Sequence, residues 1–215
     1  MLFSIDGNIG AGKSTLLKNL ENTVFCKDHV VFYEPVDEWM SIRPEGPGTK
    51  SLFEKFYSDK ARYGFMFQMY ALQTRLNHLL DIIAKNPDKI IICERTHHTD
   101  AEIFAKMLAK KEIMDKSEYF VYEQWYQYCQ STLHDVVKGF IYLRTSVPTC
   151  MNRIVCRNRT GEENIDQSYI QTLHDLHEEW FARNKCPVCI IDGNQPKDSV
   201  DINSIVEFIN SFYKS

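Results

Sequence analysis

Gly7-Asn8-Ile9-Gly10-Ala11-Gly12-Lys13-Ser14-Thr15 follows the apolar run Leu2–Ile5 and opens a helical segment from Lys13 to Leu20. The stretch matches G-x-x-x-x-G-K-[ST], and a strand before it with a helix after it is the context that this motif requires. Glycines let successive backbone N–H groups turn inward around phosphate oxygens, Lys13 supplies a point charge near the outer phosphates, and the Ser14 hydroxyl can ligate Mg²⁺. The chemistry expected of the segment is therefore the binding of ATP or another nucleoside triphosphate with Mg²⁺.

Working outward, apolar β-rich runs alternate with longer helical patterns. The expected strands are Leu2–Ile5, His29–Tyr33, Lys89–Cys93, Phe140–Leu143 and Val188–Ile191. This alternation predicts an α/β fold of the P-loop type, a five-stranded parallel sheet flanked by helices on both faces. With 215 residues, 44% of them hydrophobic, the chain suffices for one sizeable core, and residues 1–215 are read as a single domain.

Composition narrows the partners. A formal net charge of -4 offers no general cationic field for a nucleic-acid polymer, so phosphate chemistry needs a local basic cluster. No apolar run reaches membrane-spanning length, which predicts no membrane partner. Seven cysteines, Cys26 among them, are an odd number with several in predicted helices or strands, which fits a reducing compartment. The chain opens directly into its first strand with no charged leader, so a soluble cytoplasmic protein is expected.

The tips of the strands carry the next signals, because ligands of parallel sheets collect beyond the carboxyl ends of the strands. The second strand runs into Glu34-Pro35-Val36-Asp37-Glu38-Trp39, and Pro35 stops it. Glu34 can accept a proton from an attacking hydroxyl; the alternative is an ordinary solvated loop glutamate. The third strand runs into Glu94-Arg95-Thr96. Arg95 can pair with Glu34 or hold a substrate hydroxyl, and Glu94 can reach the metal; equally, the two could form an internal ion pair that closes the top of the sheet.

Phe65, Met69, Leu72, Leu76, Leu79 and Ile83 recur at spacings of four and three, which predicts a helix over 65–83 with that stripe in the core. Gln68, Ala71 and Arg75 share a second face, about a quarter turn away at roughly 100° per residue, that could line a cleft. Beyond the fourth strand, a helix over 147–157 places Arg153 and Arg157 on one side, with Arg159 following in a loop. These arginines supply the basic cluster that composition demands, as an Arg-rich lid at about 157–164 or as a solvated charge run.

Other signals are read as bland. Cys186-Pro187-Val188-Cys189 has redox spacing but enters a strand, so no helix N-terminus activates a thiol. His174, His177 and Glu178 share a helical side and are read as a solvated face, not a metal site. Asn158-Arg159-Thr160 fits a glycosylation pattern, to which the absence of a secretory signal gives no role.

In order along the chain, GNIGAGKST, EPVDEW, Phe67-Gln68-Met69-Tyr70 with Arg75, ERT with Asp100, RIVCRNRTGEE and Asp192-Gly193-Asn194 resemble the deoxynucleoside kinase family, which includes deoxycytidine and deoxyguanosine kinases and the insect multisubstrate enzyme. The resemblance implies transfer of a triphosphate's γ-phosphate to the 5′-hydroxyl of a deoxynucleoside. It implies that Glu34 is the base, Arg95 its partner and Lys13 a catalytic cation. Gln68 would hydrogen-bond the nucleobase, with Trp39, Phe67 and Phe104 packed around it, and Tyr57 and Glu162 would bind the sugar. Arg153, Arg157 and Arg159 would contact donor phosphates, and Asp192, Gly193 and Asn194 would lie against the donor base. Ala71, Arg75 and Asp100 match the trio that accompanies deoxycytidine or purine deoxynucleosides in the family. A homodimer through two helices, one corresponding to 65–85, is implied as well. Thr96 stands where many members carry serine, and the loop Arg43–Ser51 matches no family pattern. The rival functions are a nucleoside monophosphate kinase, which needs more cations on the acceptor side, and a non-catalytic P-loop nucleotide-binding protein.

Overall fold

The computed structural model describes residues 1–22, 29–133 and 136–212. Its centre is a five-stranded parallel sheet in the order β2-β3-β1-β4-β5, formed by β1 (Leu2–Asp6), β2 (His29–Phe32), β3 (Ile90–Glu94), β4 (Val137–Arg144) and β5 (Val188–Asp192). Every expected strand is present, with ends displaced by at most three residues. In β1 and β3 every residue is buried, which is why they read as unbroken apolar runs. Ser4 lies opposite Cys93 of β3 on one side and Phe140 of β4 on the other, so β1 delivers the glycine-rich loop to the middle of the sheet's carboxyl edge.

Helix α1 (Lys13–Glu21) starts at Gly12, whose φ of 104° lies in the left-handed region. The loop before it is wedged against β4 and the helix that follows: a Cβ at Gly7 would stand 2.7 Å from the Leu143 carbonyl oxygen, and one at Gly10 would collide with that of Cys150. Close approach, as well as dihedral freedom, fixes glycine at these two positions.

Short helices α2 (Val36–Ser41) and α3 (Leu52–Ser58) precede the long α4 (Lys60–Lys85). A capping box starts α3: Ser51 Oγ accepts from the Glu54 amide at 3.2 Å while Glu54 accepts from the Ser51 amide at 2.7 Å. Arg43 reaches Glu54 at 3.1 Å, tying the loop 43–51 to α3. Asp59 caps α4 by accepting from the Arg62 amide at 3.0 Å, so the helix begins before the apolar stripe.

The stripe is only partly core. Leu72, Leu76 and Leu79 are buried, but Phe65, Met69 and Ile83 are half-exposed, and the face carrying Gln68, Ala71 and Arg75 is itself buried. The polar face points inward because Arg75 finds carboxylates there, which offsets the cost of burying its charge.

After β3 come α5 (His97–Thr99), a π-helical stretch (Asp100–Ala105), α6 (Lys106–Lys110) and α7 (Lys116–Thr132); α4 packs against α7. The remaining helices are α8 (Val147–Arg157), α9 (Gln167–Arg183) and α10 (Ile202–Ser211). Trp180 of α9 meets Phe140 edge-on at 5.1 Å, and Phe208 of α10 meets Phe3 at 6.0 Å, so helices cover both faces of the sheet.

Several minor expectations change. His177 is fully buried and not on a solvated face: its Nδ1–H donates to the Leu173 carbonyl at 2.6 Å and its ring stacks on Tyr142. Burial pushes that imidazole down to about 3, so it packs as a neutral aromatic ring. Glu178 binds the Tyr142 hydroxyl at 2.8 Å and Arg144 Nε at 2.9 Å. Cys186 and Cys189 are free thiols, and Cys26 lies outside the described residues. Among the described residues no helix is long and apolar enough to cross a membrane.

Candidate active site

Two cavities open at the carboxyl edge of the sheet. The first, about 270 Å³, is lined by Glu34, Trp39, Tyr57, Phe67, Gln68, Ala71, Arg75, Arg95, Asp100, Phe104 and Glu162, all the residues assigned to the acceptor from the sequence. The second, about 560 Å³, is lined by residues 10–15 of the glycine-rich loop together with Arg153, Arg157, Arg159 and Gly193. Gly10, Lys13, Ser14, Glu94, Arg157 and Arg159 line both, so the cavities meet above the lysine of the loop.

Glu34 is the most heavily paired carboxylate at this junction. Arg95 Nη1 donates to both its oxygens at 3.0 Å, and Arg75 Nη2 donates to Oε1 at 2.8 Å. Burial alone would raise its pKa, but Arg95, Arg75 and Lys13 together hold the carboxyl far below the usual range. Arg95 also donates from Nη2 to the Gly7 carbonyl at 3.1 Å, which joins the tip of β3 to the start of the loop. Its φ of 64° is left-handed, a conformation that costs a non-glycine residue roughly 1–2 kcal/mol and that turns the guanidinium back over the sheet edge.

Arg75 donates from Nε to Asp100 at 2.7 Å and from Nη2 to the same carboxylate at 3.1 Å, so a charged pair forms one wall of the first cavity. Phe67 stacks on Phe56 at 4.6 Å and meets Trp39 edge-on at 5.5 Å, while Trp39 Nε1 is held by Thr74 Oγ1 at 2.9 Å. These rings form an apolar slot with polar groups on one side, a shape suited to a flat heterocycle. Glu162, buried, accepts from Arg157 at 2.6 Å and from Arg159 at 3.3 Å. The three predicted arginines are thus divided: Arg157 and Arg159 stand over the junction, whereas Arg153 Nη1 is held by the Ala11 and Gly193 carbonyls at 2.7 and 2.9 Å.

Lys13 is buried, donates from Nζ to the Asn8 carbonyl at 2.9 Å and lies 3.8 Å from Glu94. Burial, aided by Arg95, lowers its pKa to about 8 against the opposing pull of Glu94 and Glu34. The Ser14 hydroxyl donates to Glu94 Oε2 at 2.9 Å. One hydroxyl and one carboxylate are hard oxygen donors of the kind Mg²⁺ takes when phosphates and water complete its shell. Among the described residues no group of three or more His, Cys, Asp or Glu is placed to hold a metal ion by itself.

Asn8, Ile9, Asp192 and Asn194, assigned to the donor from the sequence, do not line the second cavity. Asp192 accepts from the Asn194 amide at 2.9 Å and from Gln195 at 2.8 Å, and Asn194 Oδ1 accepts from the Ser146 amide at 3.0 Å, so both stabilise the turn. Gln195, Lys197 and Val200 line the second cavity where those residues were expected. Ile9 lines the first cavity, and the side chain of Asn8 turns to the Ile170 carbonyl at 2.8 Å.

Asp6 escaped the sequence reading altogether. It is fully buried at the tip of β1, accepts from Ser4 Oγ at 2.6 Å and from Thr99 Oγ1, and so ties the turn that leads to Asp100 onto the strand that leads to the loop. Burial raises its pKa. Its position immediately before the glycine-rich loop, at a strand tip like Glu94, was the available signal.

A family model for deoxynucleoside kinases matches residues 3–214. The chain belongs to the deoxynucleoside kinase family. It is 32% identical to a probable deoxycytidine kinase of fowlpox virus over 98% of this chain and 88% of that protein. Human deoxycytidine kinase is 29% identical over 97% of this chain and 89% of its own length. The mitochondrial deoxyguanosine kinase of Xenopus laevis is 28% identical over 86% and 74%. As a deoxynucleoside kinase the chain is a phosphotransferase that acts on a deoxynucleoside hydroxyl.

Proposed function

We propose that residues 1–215 form one catalytic domain that transfers the γ-phosphate of ATP, or of another nucleoside triphosphate, to the 5′-hydroxyl of deoxycytidine or a purine deoxynucleoside. The observation that carries this is the meeting of the two cavities at Lys13, Ser14, Glu94, Arg157 and Arg159. An acceptor in the first and a triphosphate in the second would place the attacking oxygen and the outer phosphate at the same point.

The nucleobase would enter the Phe67–Trp39 slot, against Gln68, Ala71, Phe104 and the Arg75–Asp100 pair. Tyr57 and Glu162 would hold the sugar, and Glu34, oriented by Arg95, would take the proton of the 5′-hydroxyl as it attacks. Lys13, Arg157 and Arg159 would neutralise charge developing on the transferred phosphoryl group, and residues 157–164 would act as a lid over it. Arg153, through its bonds to Ala11 and Gly193, would shape the loop more than touch phosphate. Bound Mg²⁺, held by Ser14 and Glu94, would supply charge neutralisation on the donor phosphates.

A nucleoside monophosphate acceptor is disfavoured by the charges near the base: Glu34 and Asp37 line the first cavity, and Arg75 is already committed to carboxylates. A coupled assay with ATP and a panel of nucleosides and monophosphates tests the proposal; phosphorylation of monophosphates alone would refute it.

A homodimer through α4 and α7 is part of the proposal. Met66 and Leu80 on α4 and Phe120, Trp125 and Tyr128 on α7 are large exposed apolar residues on two helices in contact, where a second copy could cover them. Light scattering should give twice the chain mass, and Trp125→Glu should give a monomer; a wild-type monomer at micromolar concentration rejects the assembly. The free thiols among the described residues accord with a reducing, cytoplasmic location.

A further inference from the structure

The hydrogen bond between Arg75 and Glu34 joins two parts of the site that the proposed reaction keeps separate. Arg75 belongs to the nucleobase wall and Glu34 to the 5′-hydroxyl, yet Nη2 of the first donates to Oε1 of the second at 2.8 Å. Four N–H groups of Arg75 are accounted for: Nε and one Nη2 hydrogen on Asp100, the other Nη2 hydrogen on Glu34, and one on Nη1 directed at the Glu94 carbonyl at 3.2 Å. Arg75 is 1% exposed, so no bulk water competes for these contacts.

In this arrangement Glu34 is a poor proton acceptor. Oε1 carries two charged hydrogen bonds and Oε2 one, and a carboxylate stabilised by Arg95, Arg75 and Lys13 gains little from taking a proton. The same guanidinium faces the cavity that would receive the nucleobase. A nucleobase ring nitrogen or carbonyl that approaches Nη2 of Arg75 competes with Glu34 for its hydrogen, and a bond gained at Nη2, as distinct from the uncommitted Nη1 hydrogen, is one that Glu34 loses.

We infer that Arg75 is a base-sensing positioning residue, which restrains Glu34 in the empty enzyme and releases it when a nucleobase with a hydrogen-bond acceptor fills the cavity. The inference rests on the deoxynucleoside kinase reading above. Its use is protection of the triphosphate. In an unrestrained empty site, water would take the place of the 5′-hydroxyl, its oxygen would attack the γ-phosphorus, its proton would pass to Glu34, and the bond from the γ-phosphorus to the β,γ-bridging oxygen would break. The bridging oxygen would keep the electron pair, giving the diphosphate and inorganic phosphate. Coupling the freedom of Glu34 to the base makes an occupied acceptor cavity a condition for efficient proton transfer.

The test is hydrolysis of ATP with Mg²⁺ and no phosphorylatable acceptor. In the wild-type protein, 2′,5′-dideoxycytidine presents the cytosine edge without a 5′-hydroxyl. It should raise hydrolysis about tenfold or more, within the range of general-base effects. Arg75→Met alone strands Asp100 and Glu34 without their shared cation and endangers the fold, so the variant to use is Arg75→Met with Asp100→Ala, checked by thermal melting. Its basal hydrolysis should already be raised about tenfold and should not respond to the dideoxynucleoside. General damage to the site lowers hydrolysis and does not produce this pattern. Hydrolysis that stays within threefold of the wild-type basal rate in both experiments overturns the inference while leaving the kinase reading in place. A wild-type protein that phosphorylates no deoxynucleoside removes that reading itself.

Discussion

The Ser14 hydroxyl donates to Glu94 across 2.9 Å, joining the first turn of α1 to the tip of β3. The contact brings the two oxygens together at the junction of the cavities, where a cation bound to the donor phosphates would lie. Glu94→Gln keeps the shape and removes the charge, so its effect should appear as a higher Mg²⁺ requirement. We expect half-saturating Mg²⁺ to rise about tenfold or more, in line with losses typical of altered metal surroundings. Titrating activity with MgCl₂ checks this; an unchanged requirement with lower kcat would assign Glu94 to holding Lys13 instead.

Lys13→Ala and Glu34→Gln should both abolish transfer while leaving the protein folded, one by removing charge from the donor side and the other by removing the base. Lys13, lowered by burial to about 8, is charged below that pH and neutral above it. In the free enzyme kcat/KM for the triphosphate should therefore fall as pH rises through about 8, which a pH profile of the wild-type protein checks. For Glu34→Gln, activity within about tenfold of wild type, under roughly 1.4 kcal/mol of transition-state stabilisation, would falsify the base assignment.

Glu162 holds Arg157 and Arg159, so the proposed lid is braced by the carboxylate assigned to the sugar. Arg157→Ala should lower kcat far more than it raises KM for the nucleoside, because a contact to the transferring phosphoryl group strengthens in the transition state. Glu162→Gln should raise nucleoside KM and lower kcat together, since it loosens both the sugar and the arginines. Steady-state kinetics with both substrates varied separates these patterns, and an Arg157→Ala effect confined to nucleoside KM would move that arginine to the acceptor side.

Local chemistry and period made the sheet and the glycine-rich loop legible. Buried parallel strands have no solvent face, so runs such as Ile90–Cys93 announce themselves, and glycines forced by φ and by close approach to β4 leave a fixed spacing. The burial of α4 was harder to read, because periodicity reports which residues share a face but not what covers it. Phe65 and Met69 are only partly buried at the margin of the core, while Arg75 is buried through partners 25 and 41 positions away in the sequence. Asp6 was missed and His177 was read as solvated for the same reason: they contact Thr99 and Tyr142, which no local pattern connects to them. Asp192 and Asn194 were placed near the donor by the resemblance alone; two hydrogen bonds within their turn and one from the Ser146 amide occupy them in the structure.

The choice of nucleobase should follow from the Arg75–Asp100 pair, which presents donors and acceptors beside Ala71 and Gln68 on one wall of the acceptor cavity. The amino and ring-nitrogen edge of cytosine or adenine can exchange hydrogen bonds with such a pair. Thymine would bring its 5-methyl group against buried charges and partly desolvate them, and a buried charge left without its partners costs several kcal/mol. Deoxycytidine, deoxyadenosine or deoxyguanosine should therefore have higher kcat/KM than thymidine. Replacing the pair by Arg75→Met with Asp100→Ala should shift the ratio toward thymidine, because both charges leave together and the wall becomes apolar. Kinetics with the four natural deoxynucleosides decides the matter: a wild-type preference for thymidine of about tenfold or more, roughly 1.4 kcal/mol at the transition state, would reject this account of the wall while leaving the chemistry at Glu34 untouched.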